Sequence, residues 1–260
     1  MPLYLVAADR SAHALEDCTR IWAAYTGADQ ARNVTLVPVR VDLERFHPAE
    51  DPKVGGRSYD LIILANTLNE LFTRSRDPLK RRVELVRHLL GLLDQHGTLM
   101  IIEPALRETS RQLHLVRNQL LEDKLCTVYS PCLHEQPCPA LLKETDWCHE
   151  ERSWVPPPLV TAIDREVEVI KDALKFSYLL LRKDGRTIVP RNSDVYRVVS
   201  ELRTMKGEKR AWLCNETGRP EVGRLDREQS GTNESFDHWH RGAIVRIDEI
   251  VRKERKGRES

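Results

Sequence analysis

Four of the six cysteines in this 260-residue chain fall between Cys126 and Cys148, in the run CTVYSPCLHEQPCPALLKETDWC. The intervals are five, five and nine residues, and Pro131, Pro137 and Pro139 bracket the middle two thiols. Proline fixes φ and removes a backbone donor, so a stiff, irregular loop is expected here rather than helix or central strand. Such a loop suits a multi-thiolate metal centre. Its sulfurs can converge from different directions while backbone N–H groups support them.

Spacing alone does not name the metal. Cys132, Cys138 and Cys148 lack the close pair, two to four residues apart, that zinc fingers favour. They also lack the C-x2-C-x2-C run of bacterial ferredoxins, although Cys138-Pro139 shares its Cys-Pro ending. Iron–sulfur clusters tolerate looser spacing, because each thiolate binds a different iron of a larger object. The fourth ligand could be Cys126, at the end of an apparent helix, or Cys214, after a strand-like AWL. His134 and His149 are reserve ligands. Free cysteines are often simply buried, but four thiols beside three prolines in a polar loop point to ligation. A redox dithiol is disfavoured, since no C-x-x-C occurs.

The elements that must position this loop are legible upstream. Short apolar runs at 3–8, 35–41, 59–65 and 98–102 read as strands. The third, YDLIILA, is continuously apolar, as for a parallel strand covered on both faces. Helical patterns lie between them, at 12–25 and from Asp77-Pro78 to just before Gly97, and another follows at 106–124. Alternating strands and helices predict a doubly wound α/β domain over residues 1–182. Ligands of such sheets bind at the carboxyl ends of the strands, where Asp9, Asp42, Asn66 and Glu103 stand.

With VAADRS as a second strand and VDLERF as a third, this layout resembles class I S-adenosylmethionine methyltransferases. The resemblance implies S-adenosylmethionine held by Asp9, Asp42 and Asn66. The glycine-rich turn that should precede Asp9 is missing, since the first glycine is Gly27 and no G-x-G occurs in the first 60 residues. The fold expected is therefore a Rossmann sheet lacking its first, central strand. That should leave a gap, or force the second and fourth strands to pair directly. Met1 is then not expected to be the biological start, and in-frame DNA upstream should encode an apolar strand and a glycine-rich turn.

A second resemblance is more specific. Pro131-Cys132, His134-Glu135, Pro137-Cys138-Pro139, Cys148, Phe176-Ser177-Tyr178, Lys206-Gly207 and Cys214 together resemble a methyltransferase-like family. That family is associated with the small ribosomal subunit of mitochondria and bacteria. The resemblance spans residue 59 to the C-terminus. It implies a [4Fe–4S] cluster on Cys132, Cys138, Cys148 and Cys214, and leaves Cys18 and Cys126 outside. It also implies an assembly role with small-subunit rRNA and proteins as partners. The setting would be the cytoplasm, or the mitochondrial matrix of a eukaryote. An active rRNA methyltransferase and a zinc-dependent nucleic-acid-binding module are the alternatives.

Composition bounds these readings. No run approaches the ~20 apolar residues of a membrane span, and MPLYLVAADR lacks the marks of a signal peptide. Residues 182–260 carry 19 Lys and Arg against 14 Asp and Glu, so this third is the expected polyanion contact. Short strand-like pieces between polar turns predict a small, basic, β-rich domain over 183–260, with Lys206, Lys209, Arg210 and Trp212 as candidate RNA contacts.

Overall fold

The computed structural model describes residues 2–26, 33–48, 50, 52–168 and 172–251. Residues 252 onward therefore lie outside the described residues, and so does Gly27. The chain has an α/β fold with a central mixed sheet and a β-rich C-terminal part.

Strand β1 (Leu3–Asp9) leads into helix α1 (Ala12–Thr26) and β2 (Val34–Arg40). The two strands are parallel and form a ribbon of their own. After the short α2 (Pro52–Gly55), β3 (Tyr59–Ala65) pairs in parallel with β4 (Leu93–Pro104). Among the described residues β1 pairs only with β2 and β3 only with β4. Of the two outcomes expected for a sheet without its central strand, the gap is observed. Ribbon and sheet still share one apolar core, in which Val39 of β2 packs with Leu64, Leu99 and Ile101.

Helix α3 (Pro78–Gly91) starts as its sequence demands. Pro78 takes the first position, and Asp77 Oδ1 accepts from Lys80 N at 3.0 Å. Val83, Val86, Leu89 and Leu90 form its buried stripe. The helix stops earlier and β4 begins earlier than the sequence suggests, so Leu93 is already in the strand. A second correction concerns β3, which is not covered on both faces. Ile62 and Leu64 face the core shared with α3 and α4 (Arg107–Glu122), while Leu61 and Ile63 on the opposite face remain 49% and 57% exposed.

Next come β5 (Thr127–Ser130), the cysteine loop, β6 (Glu150–Ser153), α5 (Pro158–Glu166) and β7 (Ala173–Arg182). Strand β7 lies antiparallel between β4 and β5 and also pairs β6, giving the order β3-β4-β7-β5. Helix α5 escaped the sequence reading; it begins at the last of three consecutive prolines and buries no side chain.

Five short strands follow: β8 (Val195–Val198), β9 (Arg203–Met205), β10 (Glu208–Cys214), β11 (Glu221–Leu225) and β12 (Ile244–Arg246). They form an antiparallel sheet in the order β11-β10-β8-β12, with β9 on β10. Tyr196, Val198, Ala211 and Leu213 make its own small core.

Candidate functional site

Helix α4 organises the cysteine loop through two stripes set by the helical period. Leu113, Val116 and Leu120 enter the central core. Arg111, His114, Arg117 and Asn118 face the loop instead. A proline-rich loop makes few backbone hydrogen bonds of its own, so its buried carbonyls need outside donors. Two arginines supply them. Arg111 Nη1 donates to the carbonyls of Ala140, Lys143 and Asp146 at 3.1, 2.7 and 2.8 Å. Arg117, wholly buried, donates to those of His134 (2.6 Å) and Gln136 (2.9 Å). Asn118 Oδ1 accepts from Cys138 N at 3.1 Å, and Ser177 Oγ donates to the Cys148 carbonyl at 3.0 Å.

The C-terminal sheet closes onto this loop. Arg197 of β8 pairs with the buried Glu150 and donates to the Pro131 carbonyl at 3.2 Å. Arg219, just before β11, pairs with Asp146 at 2.5 Å. Cys214, the last residue of β10, sits opposite Arg197 in the ladder and so arrives beside the loop.

One cavity of about 400 Å³, mouth included, results. Cys132, Cys138, Cys148 and Cys214 all line it, together with His114, His134, Arg197 and Arg219. Cys126 does not; it is buried in the central core, where burial pushes its thiol up to about 12. His134 Nε2 lies 3.5 Å from Cys214 Sγ. His149 is stacked on Trp147. Burial depresses both imidazoles to about 4, so both are neutral at physiological pH.

His114 draws two of the cavity's thiols toward the thiolate. Burial alone would raise Cys138 and Cys148, but His114 outweighs it and holds both below the ordinary thiol value. The two thiols in turn raise His114 well above an ordinary histidine, against the pull of its burial. Cys214 is raised well above an ordinary thiol, first by burial and then by the charges of the other three sulfurs. His114 Nδ1 and His134 Nδ1 are buried without a hydrogen-bond partner. Among the described residues no group of three or more His, Cys, Asp or Glu is arranged to hold a metal ion. What converges is four thiols around a space, not four atoms around a point. The helix-face contributors, Arg111, His114 and Arg117, were missed in the sequence. Their i, i+3, i+6 spacing opposite an apolar stripe was the available signal.

The strand-end residues behave differently. Asp9, Asp42 and Asn66 are exposed at the carboxyl ends of β1, β2 and β3. Asp9 Oδ1 accepts from Ser11 N at 2.7 Å and Asp42 Oδ1 from Glu44 N at 3.1 Å, so each carboxylate closes its own turn. Asn66 holds a left-handed turn at φ 50°. No glycine-rich turn faces them among the described residues. These residues do not by themselves fit S-adenosylmethionine.

The description "mitochondrial small ribosomal subunit Rsm22" names a family whose model matches residues 5–229. The chain belongs to the Rsm22 family. A search of curated proteins found no match. Among solved structures, a Thermoplasma acidophilum protein described as a methyltransferase is 12% identical with a TM-score of 0.38, over 71% of this chain and 59% of that one. An S-adenosylmethionine-dependent methyltransferase from Clostridium acetobutylicum is 7% identical with a TM-score of 0.29, over 90% and 62%. The plantazolicin methyltransferase BpumL, in complex with SAH, is 10% identical with a TM-score of 0.35, over 70% and 77%. The Rsm22-family chain thus spans less than two thirds of the first two structures. Identities this low say nothing of activity.

Proposed function

We propose that this Rsm22-family chain is an assembly factor of the small ribosomal subunit: a methyltransferase-like scaffold that contacts rRNA and carries a [4Fe–4S] cluster. The observation that carries the cluster is the convergence of Cys132, Cys138, Cys148 and Cys214, from a loop and a distant strand, on one cavity. These four residues would hold the cluster, with Cys126 and Cys18 outside it. Bound there, the group would supply a rigid cross-link and a one-electron centre. The protein's own part is to present thiolates beside His114, Arg197 and Arg219 and to keep water from the loop backbone. A structural cluster fits better than an electron-transfer one, because the arginines around it are engaged in holding loop carbonyls and carboxylates.

We take residues 1–182 and 183–260 as the two units that the cluster clamps together. The small-ribosomal-subunit description of the family supports a ribosomal partner, with the chain working in the cytoplasm or, in a eukaryote, in the mitochondrial matrix. No helix among the described residues is long and apolar enough to cross a membrane.

The test is anaerobic isolation. About four irons and four sulfides per chain, with absorption near ~400 nm, are expected. Colourless protein with zinc and no iron would overturn the cluster and favour the zinc-dependent nucleic-acid-binding module. Active methyl transfer to rRNA is the alternative, and it needs a cofactor cradle beyond Asp9, Asp42 and Asn66. Calorimetric titration with S-adenosylmethionine tests it.

A further inference from the structure

The C-terminal third owes much of its positive balance to its tail. Residues 182–251 hold 14 Lys and Arg against 12 Asp and Glu. Most of those cations already have partners. Arg197 pairs with Glu150, Arg203 and Arg210 with Glu221, Lys209 and Arg224 with Asp237, and Arg241 with Glu201. Arg219 also lies over the Trp212 ring at 5.2 Å. Of the RNA contacts expected there, only Lys206 keeps an exposed charge without an ion pair among the described residues.

A different segment has the opposite character. Residues 72–82, FTRSRDPLKRR, carry five cations and one acid. Arg82 turns inward, donating to the carbonyls of Leu71 (3.1 Å) and Asn69 (2.8 Å). Arg81 pairs with Glu84 and lies over the Phe72 ring. The remaining three, Arg74, Arg76 and Lys80, are exposed, and none meets a carboxylate within ion-pair distance among the described residues. The single acid, Asp77, is engaged as the cap of α3.

The segment is also held in place. Phe72 is buried at φ 60°, a left-handed conformation that bulky side chains avoid, and its N–H is held by the Glu44 carboxylate. Ser75 N donates back to the Phe72 carbonyl at 2.9 Å. The three cations therefore stand on a fixed base beyond the carboxyl end of β3, and the amino-terminal end of α3 adds potential of the same sign.

We propose that Arg74, Arg76 and Lys80 form the phosphate-contacting face through which this chain holds RNA. This rests on the rRNA reading above and assigns it a surface. The only aromatic ring of the stretch, Phe72, is buried and unavailable for base stacking. The face therefore reads backbone phosphate rather than sequence.

The full chain is titrated with a 20-nucleotide oligouridylate, followed by fluorescence anisotropy at several salt concentrations. A triple Arg74→Gln, Arg76→Gln, Lys80→Gln variant with an unchanged thermal melt is expected to bind at least roughly tenfold more weakly. Its log Kd against log[salt] should flatten by about 2, at about 0.7 per lost single-strand contact. The pair Lys206→Gln, Arg227→Gln, with Arg227 exposed in the turn just after β11, should leave the slope unchanged. A triple variant with the wild-type slope overturns the placement but leaves RNA binding standing, as does a loss confined to the Lys206/Arg227 pair. If the wild-type chain binds no RNA at low salt, both this proposal and the rRNA reading fall.

Discussion

Glu150 and Arg197 form an ion pair sealed from solvent, with side-chain exposures of 1% and 8%. Glu150 lies on β6 of the central sheet and Arg197 on β8 of the C-terminal sheet, so the pair joins the two. Arg152 also reaches Glu150, at 2.9 Å, but is half exposed. Removing one partner of a buried pair leaves the other charge uncompensated and costs about 3–5 kcal/mol. Glu150→Gln is therefore expected to lower the unfolding free energy from urea titration by that amount, and Arg152→Ala by less than about 1 kcal/mol. Equal losses from the two variants would show that the burial of Arg197 is not what matters.

Serine at Cys132, Cys138, Cys148 or Cys214 is expected to lower bound iron sharply, whereas Cys126→Ser keeps it. Iron and sulfide analysis of the anaerobically isolated variants decides. Iron lost from Cys126→Ser as readily as from Cys214→Ser would place the fourth ligand elsewhere. Cys126 packs in the central core and does not line the cavity.

Metal removal should loosen the C-terminal sheet. Its own core is small, comprising four buried residues, and Cys214 is its thiol at the cavity. Binding energy at such a site is also folding energy. Trypsin is expected to cut the chelated protein within 183–251 while the β3–β4–β7 sheet survives. Fragment masses read this directly, and identical digestion with and without metal would argue against a clamp.

Glu103 sits at the end of β4 with 1% exposure, its Oε1 accepting from Leu68 N at 2.8 Å while Oε2 has no partner. Burial raises its carboxyl above the ordinary value of 4.5, against backbone N–H groups and the charge of Arg82. A raised folded-state value means that the folded chain holds this proton more tightly than the unfolded chain. Glu103 thus contributes stability that is full below pH 4.5 and lost as pH climbs through its folded value. The melting temperature of Glu103→Gln relative to wild type should rise over that window. A flat difference would mean that Glu103 titrates as an ordinary carboxyl.

Local patterns carried much of this reading. The apolar run 59–65 coincides with β3, and Asp77-Pro78 marks the start of α3, because strand patterning and capping depend on near neighbours. The cysteine loop was legible for the same reason: three prolines forbid regular structure over that short span.

Exposure of β3 was not legible, since covering one face of a strand depends on where helices from other parts of the chain come to rest. Nor was the exposed basic face of Arg74, Arg76 and Lys80. Composition put the positive charge in the C-terminal third, yet Arg203 and Arg210 found Glu221 on β11, and Lys209 and Arg224 found Asp237 between β11 and β12.

By itself the sequence determined which residues could ligate metal and which segments would be strand, helix or stiff loop, because those properties reside in neighbouring side chains and their φ preferences. Only the tertiary structure decided that Cys214 joins the loop while Cys126 turns into the core, and that Arg74, Arg76 and Lys80 keep their charge exposed. Both outcomes depend on contacts between residues far apart in the chain, which no local pattern encodes.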